Sequence, residues 1–491
     1  LLIGSAIFNF SLGQMMMSSA LTRRGRTVFL WAGLAFNIFL LSYFKYTGFI
    51  LTNWNLAFHT ELVYPDIILP LAISFFTFQK IAYLVDVYLG RVKAHSFIDF
   101  LLFVFFFPQL IAGPIVHHSE VMPQYRAQNS YRLDYTNFAV GIAMFAIGLF
   151  KKIGLADSLA DYTVSPFLAA NLGWQLTFFQ AWAAVISFSY QIYFDFSGYS
   201  DMALGLALMF NVRLPVNFSS PYKATSIIDL WRRWHMTLTR FLTDYIYTPL
   251  SLRLMRRAAA RRVGKWARFM MAIAVPLNMT FLVSGIWHGA GWNYVLFGVI
   301  NGIALTINSF WRAAKWWTPP RPICWMLTMF AFALSIACFR SESLAGSLIM
   351  VRGMIGLNGF MLPAGARLHL GPVGDLLARM GVQFDNIVLA YLKLPQVFVW
   401  LVCLTIGLLV LPNAQDLLKR FKPALDYRPK DLIATTILGM PIERLYGARA
   451  VALVKPVRWI AGIALGVAIA FAVLYPPYLH DQMPEFIYFK F

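Results

Sequence analysis

His288 and His235 are the side chains of this sequence best suited to acid–base chemistry. His288 lies in the run Gly-Ile-Trp-His-Gly-Ala-Gly-Trp, and His235 lies in the run Leu-Trp-Arg-Arg-Trp-His-Met-Thr-Leu. An imidazole titrates near neutral pH and can act as a general acid or a general base. Because an ionisable group is costly in strongly apolar sequence, its presence there indicates chemistry. Both histidines are therefore candidate catalytic residues.

His288 lies in a long uncharged segment. Asp, Glu, Lys and Arg are all absent from Phe269 to Trp311, a stretch long enough for two membrane crossings with His288 near its midpoint. Gly285, Gly289 and Gly291 surround it, and glycine tolerates a helix break. The pattern places His288 toward the extracytoplasmic end of an outgoing span or at a break between two half-spans. With no charged partner nearby, a functional role is favoured over a buried structural histidine.

The segment around His235 predicts a single amphipathic helix over residues 229–246. Its apolar stripe consists of Trp231, Trp234, Leu238, Phe241 and Tyr245, and its polar face consists of Asp229, Arg233, Arg240 and Asp244. His235 falls at the edge of the stripe. The basic connector from Arg253 to Arg268 follows, so we expect this helix at the cytoplasmic interface, with the two histidines coming from opposite sides of the membrane. A catalytic and a merely solvated His235 are equally compatible with the pattern.

The remaining histidines and the cysteines predict no metal site. His117 and His118 are adjacent in a loop, so their side chains point apart, and His59, His95, His369 and His480 lie in connectors without a motif. The three cysteines, Cys324, Cys338 and Cys403, lie in apolar segments without metal-ligand spacing. We interpret them as small core residues rather than as ligands or a disulfide framework.

Two charged features leave alternatives open. The segment from Tyr193 to Asp201 carries Asp195 and Asp201 where one apolar run ends and another begins; they could orient a donor or brace His235, or form a turn with Ser197 and its neighbouring glycine. The basic residues from Arg253 to Arg268 could attract cofactor phosphates, although a role in membrane topology is favoured.

The composition places the chain in a membrane. Of the 491 residues, 59% are hydrophobic and only 13% are charged, and apolar runs of about 20 residues recur along the sequence. The formal net charge of +20 resides in short connectors between apolar runs rather than in a basic domain. We therefore expect an all-α polytopic membrane protein that binds no nucleic acid.

Apolar runs predict about eleven or twelve membrane spans. They cover roughly residues 1–20, 28–50, 66–90, 98–118, 136–150, 176–194, 200–212, 269–288, 289–311, 323–339, 396–412 and 459–477. Basic clusters that then fall on the cytoplasmic side are Arg23 to Arg26, Arg91 with Lys93, Lys151 with Lys152, Arg253 to Arg268, and Lys419 to Arg458. Residues 1–491 are predicted to form one membrane domain, with a motif-bearing core at about 66–312 and a C-terminal helical region at about 323–491.

Five ordered motifs carry a family resemblance. They are Phe106-Phe-Pro-Gln-Leu-Ile-Ala-Gly-Pro114, Tyr193-Phe-Asp-Phe-Ser-Gly-Tyr-Ser-Asp-Met-Ala203, Pro215-Val-Asn-Phe218, Trp231-Arg-Arg-Trp-His235 and Gly285-Ile-Trp-His-Gly-Ala290. Together they resemble the membrane-bound O-acyltransferase superfamily, and most closely its alginate O-acetyltransferase branch, which the ending Pro484 to Phe491 also resembles. The teichoic-acid D-alanylation branch shares the central motifs and is shorter at its carboxyl end.

The resemblance implies a helical membrane body with interfacial and re-entrant helices around a central tunnel. An acyl donor such as acetyl-CoA enters from the cytoplasm, the acceptor approaches from the far side, and no metal takes part. It identifies His288 as the principal catalytic residue and His235 as its companion. Family members carry apolar sequence before the segment that resembles residues 1–20, so the N-terminus is expected to be incomplete. Further substrate or tunnel contacts are expected from Asp195, Ser197, Tyr199, Trp231, Arg232, Arg233, Trp287 and Asn293.

The resulting hypothesis is a bacterial inner-membrane O-acetyltransferase. It passes acetyl groups from cytoplasmic acetyl-CoA toward an exopolysaccharide such as alginate or cellulose, together with an extracytoplasmic partner transferase that resembles SGNH hydrolases. His288 would take the acceptor's proton, whereas His235 could orient the thioester, stabilise the oxyanion or carry the acyl group. The alternatives are D-alanyl or lipid acylation, a histidine-gated transporter and a non-catalytic scaffold of an export complex.

Overall fold

The computed structural model describes residues 1–63, 67–70, 72–110, 113–385 and 394–425, with two short strands beyond them. Helices account for nearly all regular structure in these residues. The predicted span at 459–477, the terminal motif at 484–491, His480 and most of the predicted basic cluster from Lys419 to Arg458 lie outside the described residues.

The helices of the first third are α1 (Leu2–Met17), α2 (Arg23–Phe58), α3 (Ile73–Tyr88), α4 (Phe97–Phe105), α5 (Phe107–Leu110), α6 (His118–Tyr125), α7 (Tyr135–Leu149) and α8 (Asp161–Asn171). Those of the central third are α9 (Phe178–Met209), α10 (Ile227–Trp231), α11 (Met236–Leu242), α12 (Thr248–Ala260), α13 (Lys265–Phe269), α14 (Val275–His288) and α15 (Trp292–Ala313). The last helices of the described residues are α16 (Arg321–Arg340), α17 (Leu344–Met354), α18 (Ala364–Leu370), α19 (Pro372–Arg379), α20 (Leu394–Val410) and α21 (Ala414–Leu417).

Shorter elements connect or extend these helices. In the part of the chain that the structure describes, π-helical segments occur at Phe150–Ala156, Thr243–Tyr247 and Met270–Ala274, and 3₁₀ turns at Gln128–Tyr131, Asp157–Leu159, Pro221–Lys223 and Lys419–Phe421. Strand β1 (Met361–Leu362) pairs in parallel with β2 (Gln383–Phe384), and β3 (Thr436–Ile437) pairs antiparallel with β4 (Met440–Pro441). These two-residue pairs only tie loops together.

Five continuous helical stretches of the described residues are long and apolar enough to cross a membrane. They are Arg23–Phe58, Tyr135–Leu159, Lys265–His288, Trp292–Ala313 and Arg321–Arg340. Three shorter apolar helices, at Leu2–Met17, Leu344–Met354 and Gln396–Val410, accompany them. The all-α membrane architecture predicted from composition is confirmed, while the total of eleven or twelve crossings stays a prediction.

The central helix α9 corrects the predicted boundary between two spans. Residues 176–194 and 200–212 were expected to be separate spans with the acidic segment between them, but Phe178–Met209 is one helix of 32 residues. Asp195 and Asp201 are buried inside it, and each is neutralised by a lysine. Because these charges are paired, they neither end the helix nor require water.

The lysines that pair with α9 lie beyond the predicted end of a span. The prediction ended that span at residue 150, whereas Lys151 and Lys152 lie in the π-helical continuation of α7, within the helical stretch Tyr135–Leu159. The side of the membrane that they face stays a prediction. Lys151 Nζ lies 2.6 Å from Asp201, and Lys152 Nζ lies 2.8 Å from Asp195 and 2.6 Å from Asp157. Apolar patterning alone cannot reveal that two basic residues pair with acidic residues far away along the chain.

Glycines bring α7 and α9 into backbone contact beside these ion pairs. A Cβ atom added at Gly148 would collide with the carbonyl oxygen of Gly198, and one added at Gly141 would collide with that of Gly205. The two contacts are seven residues apart on both helices, which run antiparallel. Close backbone approach through small residues is a common way to pack helices in membranes. It presses α7 against the helix that carries Phe196.

Candidate active site

The histidine-bearing hairpin is formed by α14 and α15. α14 ends at His288, Gly289 and Gly291 are extended, and α15 begins at Trp292. A Cβ atom at Gly289 would collide with the ring of Tyr294, so this close turn requires glycine. His288 lies at the break between two helical stretches that are each long enough to span a membrane, so the flanking helices are not the half-spans of one predicted placement. The other placement, toward the extracytoplasmic end of a span, stays a prediction.

A backbone hydrogen bond fixes the His288 ring. His288 is 6% exposed, and its Nδ1 lies 2.6 Å from the carbonyl oxygen of Ser284, one helical turn earlier. A carbonyl oxygen can only accept, so Nδ1 donates the hydrogen. In the neutral ring the lone pair therefore belongs to Nε2. The rings of Phe297 and Phe339 pack against the imidazole at centroid distances of 5.6 and 5.4 Å.

His235 lies at a chain reversal and not within a helix. The predicted continuous helix over 229–246 is wrong, because α10 ends at Trp231 and α11 begins at Met236. His235 between them has φ 44° and ψ 52°, in the left-handed region that a non-glycine residue seldom adopts. Such a conformation costs about 1–3 kcal/mol and persists only where the surroundings enforce it.

Asn217 is the residue that enforces the His235 conformation. Its side-chain oxygen lies 3.0 Å from His235 Nδ1, 2.9 Å from Thr237 Oγ1 and 3.3 Å from the Thr237 backbone nitrogen. A backbone N–H can only donate, so the Asn217 atom must be the oxygen and His235 Nδ1 carries the hydrogen. The Asn217 backbone carbonyl also accepts from the Met236 N–H at 2.8 Å, which ties both sides of the reversal to one residue.

Both histidines line the same small cavity of about 20 Å³. Its walls are formed by Ile192, Phe196, Trp231, Trp234, His235, Leu238, His288, Phe297, Phe332, Ile336 and Phe339. His235 is only 2% exposed. The alternative of a merely solvated His235 is therefore wrong, because the break at 232–235 turns the segment inward. The side of the membrane from which each histidine comes stays a prediction. The two imidazoles and nine apolar or aromatic side chains form one site.

The other predicted contacts divide between the cavity and structural positions. Trp231 lines the cavity and donates from Nε1 to Asn301 Oδ1 at 3.2 Å. Trp287 points elsewhere, stacked on Phe78 with ring centroids 4.7 Å apart. Asn293 donates to the backbone carbonyl of Ser341 at 2.6 Å and so holds the start of α15.

Charged and hydroxyl candidates lie outside the described cavity lining. Arg232 is exposed, while the buried Arg233 pairs with Asp229 at 3.0 Å within its own turn. Asp195 belongs to the ion pairs between α7 and α9, and its helix neighbours Ser197 and Tyr199 are buried and half-buried. None of these five candidate residues is among the side chains that line the cavity.

The residues that orient the two imidazoles were not predicted from the sequence. Asn217 lies in the noted motif Pro215-Val-Asn-Phe218, which is the one signal that could have drawn attention to it. Ser284 acts through its backbone carbonyl, which carries no sequence signal at all. Of the histidines interpreted as non-ligands, His117 contacts Tyr245 and His118 packs beside His95, away from the cavity.

Comparisons with known proteins agree on one family. A profile of the membrane-bound O-acyltransferase family matches residues 90–351. The chain is 42% identical over 390 residues to the peptidoglycan O-acetyltransferase of Helicobacter pylori, covering 74% of this chain and 71% of that protein. It is 33% identical over 405 residues to the probable alginate O-acetylase AlgI of Pseudomonas aeruginosa, covering 80% and 71%. It is 27% identical over 296 residues to the teichoic acid D-alanyltransferase of Streptococcus thermophilus, covering 57% and 69%.

Proposed function

The chain belongs to the membrane-bound O-acyltransferase family and is an O-acyltransferase, and from this premise we propose that it passes acetyl groups from cytoplasmic acetyl-CoA to an acceptor hydroxyl for O-acetylation of an envelope polysaccharide. The observation that carries the proposal is the shared cavity of His288 and His235. Acyl transfer needs a base beside the attacking oxygen, and this cavity places two imidazoles within apolar walls that exclude bulk water.

His288 is the proposed general base. Its Nδ1 hydrogen is held by Ser284, so Nε2 can take the proton of the acceptor hydroxyl. As that proton leaves, the oxygen forms a bond to the thioester carbonyl carbon. The tetrahedral intermediate then breaks its C–S bond, and the departing coenzyme thiolate takes the proton from the His288 imidazolium. The products are an acetyl ester, a free thiol and the neutral histidine.

The hydrogen bond between His235 and Asn217 excludes one of the chemical roles considered for His235. A neutral His235 whose Nδ1 donates to Asn217 has only a lone pair on Nε2, so it cannot donate to an oxyanion. The remaining roles are to accept a hydrogen bond that orients a substrate or to attack the thioester and carry the acetyl group. We propose the first role, in which His235 works as an acceptor beside His288.

Replacing Asn217 with leucine tests this orientation. We expect kcat for acetyl transfer to fall about 10- to 100-fold, because His235 loses the acceptor that fixes its ring and catalytic geometry tolerates little displacement. The measurement is release of free coenzyme A thiol by purified protein in detergent, corrected for the folded fraction. Ser200→Ala is the matched control, since it removes only the 3.2 Å contact from the amide nitrogen of Asn217. Unchanged kcat in Asn217→Leu would count against a positioned His235.

The similarity to proteins named for two different polymers directs the acceptor proposal. The relative at 42% identity is named for peptidoglycan and that at 33% for alginate, so we propose a saccharide hydroxyl outside the cytoplasmic membrane and favour peptidoglycan as its source. This chain would act in the inner membrane of a bacterium. A separate extracytoplasmic transferase that resembles SGNH hydrolases would complete delivery of the acetyl group to the polymer. Alginate and other exopolysaccharides are the second source.

Mass spectrometry of envelope polymers tests donor and acceptor together. Cells that produce the wild-type protein, the His288→Ala variant or neither are supplied with isotopically labelled acetate, and ester-bound label is measured in peptidoglycan and in exopolysaccharide. We expect label in peptidoglycan only with the wild-type protein. Label confined to exopolysaccharide would change the acceptor, D-alanyl esters would identify the alternative acyl group, and equal label in all three strains would overturn the proposal.

A further inference from the structure

The C-terminus of the His288 helix is held by polar side chains from α2. The last carbonyl groups of a helix have no partner within it and must be satisfied elsewhere. In α14 three consecutive carbonyls are bound from α2. Lys45 Nζ donates to the carbonyl oxygens of Trp287 and His288 at 2.7 and 2.9 Å, and Tyr46 donates from its hydroxyl to that of Ile286 at 2.7 Å. Two adjacent residues thus fix the turn that carries His288.

The same face of α2 also holds the beginning of α15. Asn53 accepts a hydrogen bond from Trp292 Nε1 at 2.8 Å, and the ring of Phe49 packs edge-on against Trp292 at 5.7 Å. Positions 45, 49 and 53 are four residues apart and therefore lie along one side of the helix. Both ends of the break at Gly289–Gly291 are attached to this single stripe.

The amine of Lys45 lies at a helix C-terminus, where the backbone carbonyl groups carry a partial negative charge. No carboxylate of the described residues lies within ion-pair distance of it. Its contacts are instead the two carbonyl oxygens and the face of the Trp287 ring, 5.9 Å from Nζ. The hydrogen bonds of the Lys45 amine are thus made to the backbone of the turn that carries His288.

We propose that the α2 stripe of Lys45, Tyr46, Phe49 and Asn53 is a clamp that positions His288 for base catalysis. The proposal rests on the acetyl-transfer function proposed above. α2 lies at the periphery of the protein, since only 17% of its most apolar segment is buried. Its contacts with the α14–α15 hairpin are therefore the hydrogen bonds and the ring contact described above. Lys45 is a positioning residue that acts through the backbone of Trp287 and His288.

Kinetic measurements on Lys45 variants separate positioning from general stability. For Lys45→Met we expect kcat to fall about 10- to 100-fold with KM for acetyl-CoA changed by less than about two-fold, because the base is displaced while the donor site stays intact. Lys45→Arg keeps a cationic donor and should recover at least part of the loss. Tyr46→Phe removes a single hydroxyl, keeps the ring, and should lower kcat by less than Lys45→Met.

Lys80→Met is the matched control. Lys80 is a buried lysine on the neighbouring helix α3, and its amine donates to Ser5 Oγ at 2.8 Å, away from His288. We expect its kcat per folded molecule to equal that of the wild type. A Lys45→Met variant with wild-type kcat per folded molecule, or a loss that Lys80→Met reproduces, would overturn the clamp. If the wild-type protein itself releases no coenzyme A, the proposed function fails instead.

Discussion

His288→Ala is expected to reduce kcat for acetyl transfer by about 10²- to 10⁴-fold, the usual contribution of a general base. The variant removes the Nε2 lone pair while the Ser284 carbonyl and the aromatic walls of the cavity stay in place. The rings of Phe297 and Phe339 lose the imidazole against which they pack, so we expect a lower midpoint of thermal unfolding, measured by intrinsic fluorescence in detergent. The loss of coenzyme A release is therefore expressed as kcat per folded molecule.

His118→Ala is the control for this result. Its imidazole is 4% exposed, comparable with the burial of His288, but it packs beside His95 and Phe103, outside the cavity. It should lose stability and keep its turnover per folded molecule. If His288→Ala retained more than about a tenth of the wild-type kcat, general-base catalysis by this residue would be wrong. The acyltransferase family assignment would stand, and the base would have to be sought elsewhere along the cavity.

Lys152→Met is expected to lower the free energy of unfolding by about 3–5 kcal/mol, because it leaves Asp157 and Asp195 without the lysine that pairs with both. Asp195 is 1% exposed and lies one residue from the cavity-lining Phe196. The measurement is the midpoint of unfolding by heat or denaturant in detergent. Asp195→Asn in the same chain removes one of the stranded charges and should recover part of the loss.

Arg367→Met provides the comparison at the surface. Arg367 pairs with Asp375 at 2.9 Å, but both side chains are more than half exposed, at 54% and 60%. Solvent screening limits such a pair to about 0–1 kcal/mol. We therefore expect the unfolding midpoint of Lys152→Met to be clearly lower than that of Arg367→Met. Equal unfolding midpoints for Lys152→Met and Arg367→Met would mean that the buried pairs between α7 and α9 contribute little to stability.

Local signals in the sequence were sufficient to predict the helices around His288. The uncharged run with glycines near its midpoint predicts two apolar helices and a break, and α14 and α15 meet at that break. Composition was likewise sufficient for the all-α membrane class, because apolar burial in lipid depends on residue type more than on order. Both predictions depend only on residue types and on residues that are close together in the sequence.

Features that depend on residues far apart along the chain could not be predicted from the sequence. The charges at Asp195 and Asp201 indicated a gap between spans, because their partners Lys151 and Lys152 are remote in sequence and only the folded chain brings them together. The left-handed conformation of His235 is enforced by Asn217 through three contacts that no helical periodicity contains. The apolar and polar positions fit a helix over 229–246, whereas the folded chain reverses at His235 and places its ring in the cavity.

The size of the shared cavity has a consequence for the proposed acyl donor. About 20 Å³ accommodates roughly one water molecule and is too small for an acetyl group. For the proposed reaction, the side chains around the cavity would have to move apart before a thioester and a hydroxyl could both reach the imidazoles. The aromatic residues that line the site would then also determine how readily water reaches a bound thioester, so the same packing that shapes the site would protect the donor from hydrolysis.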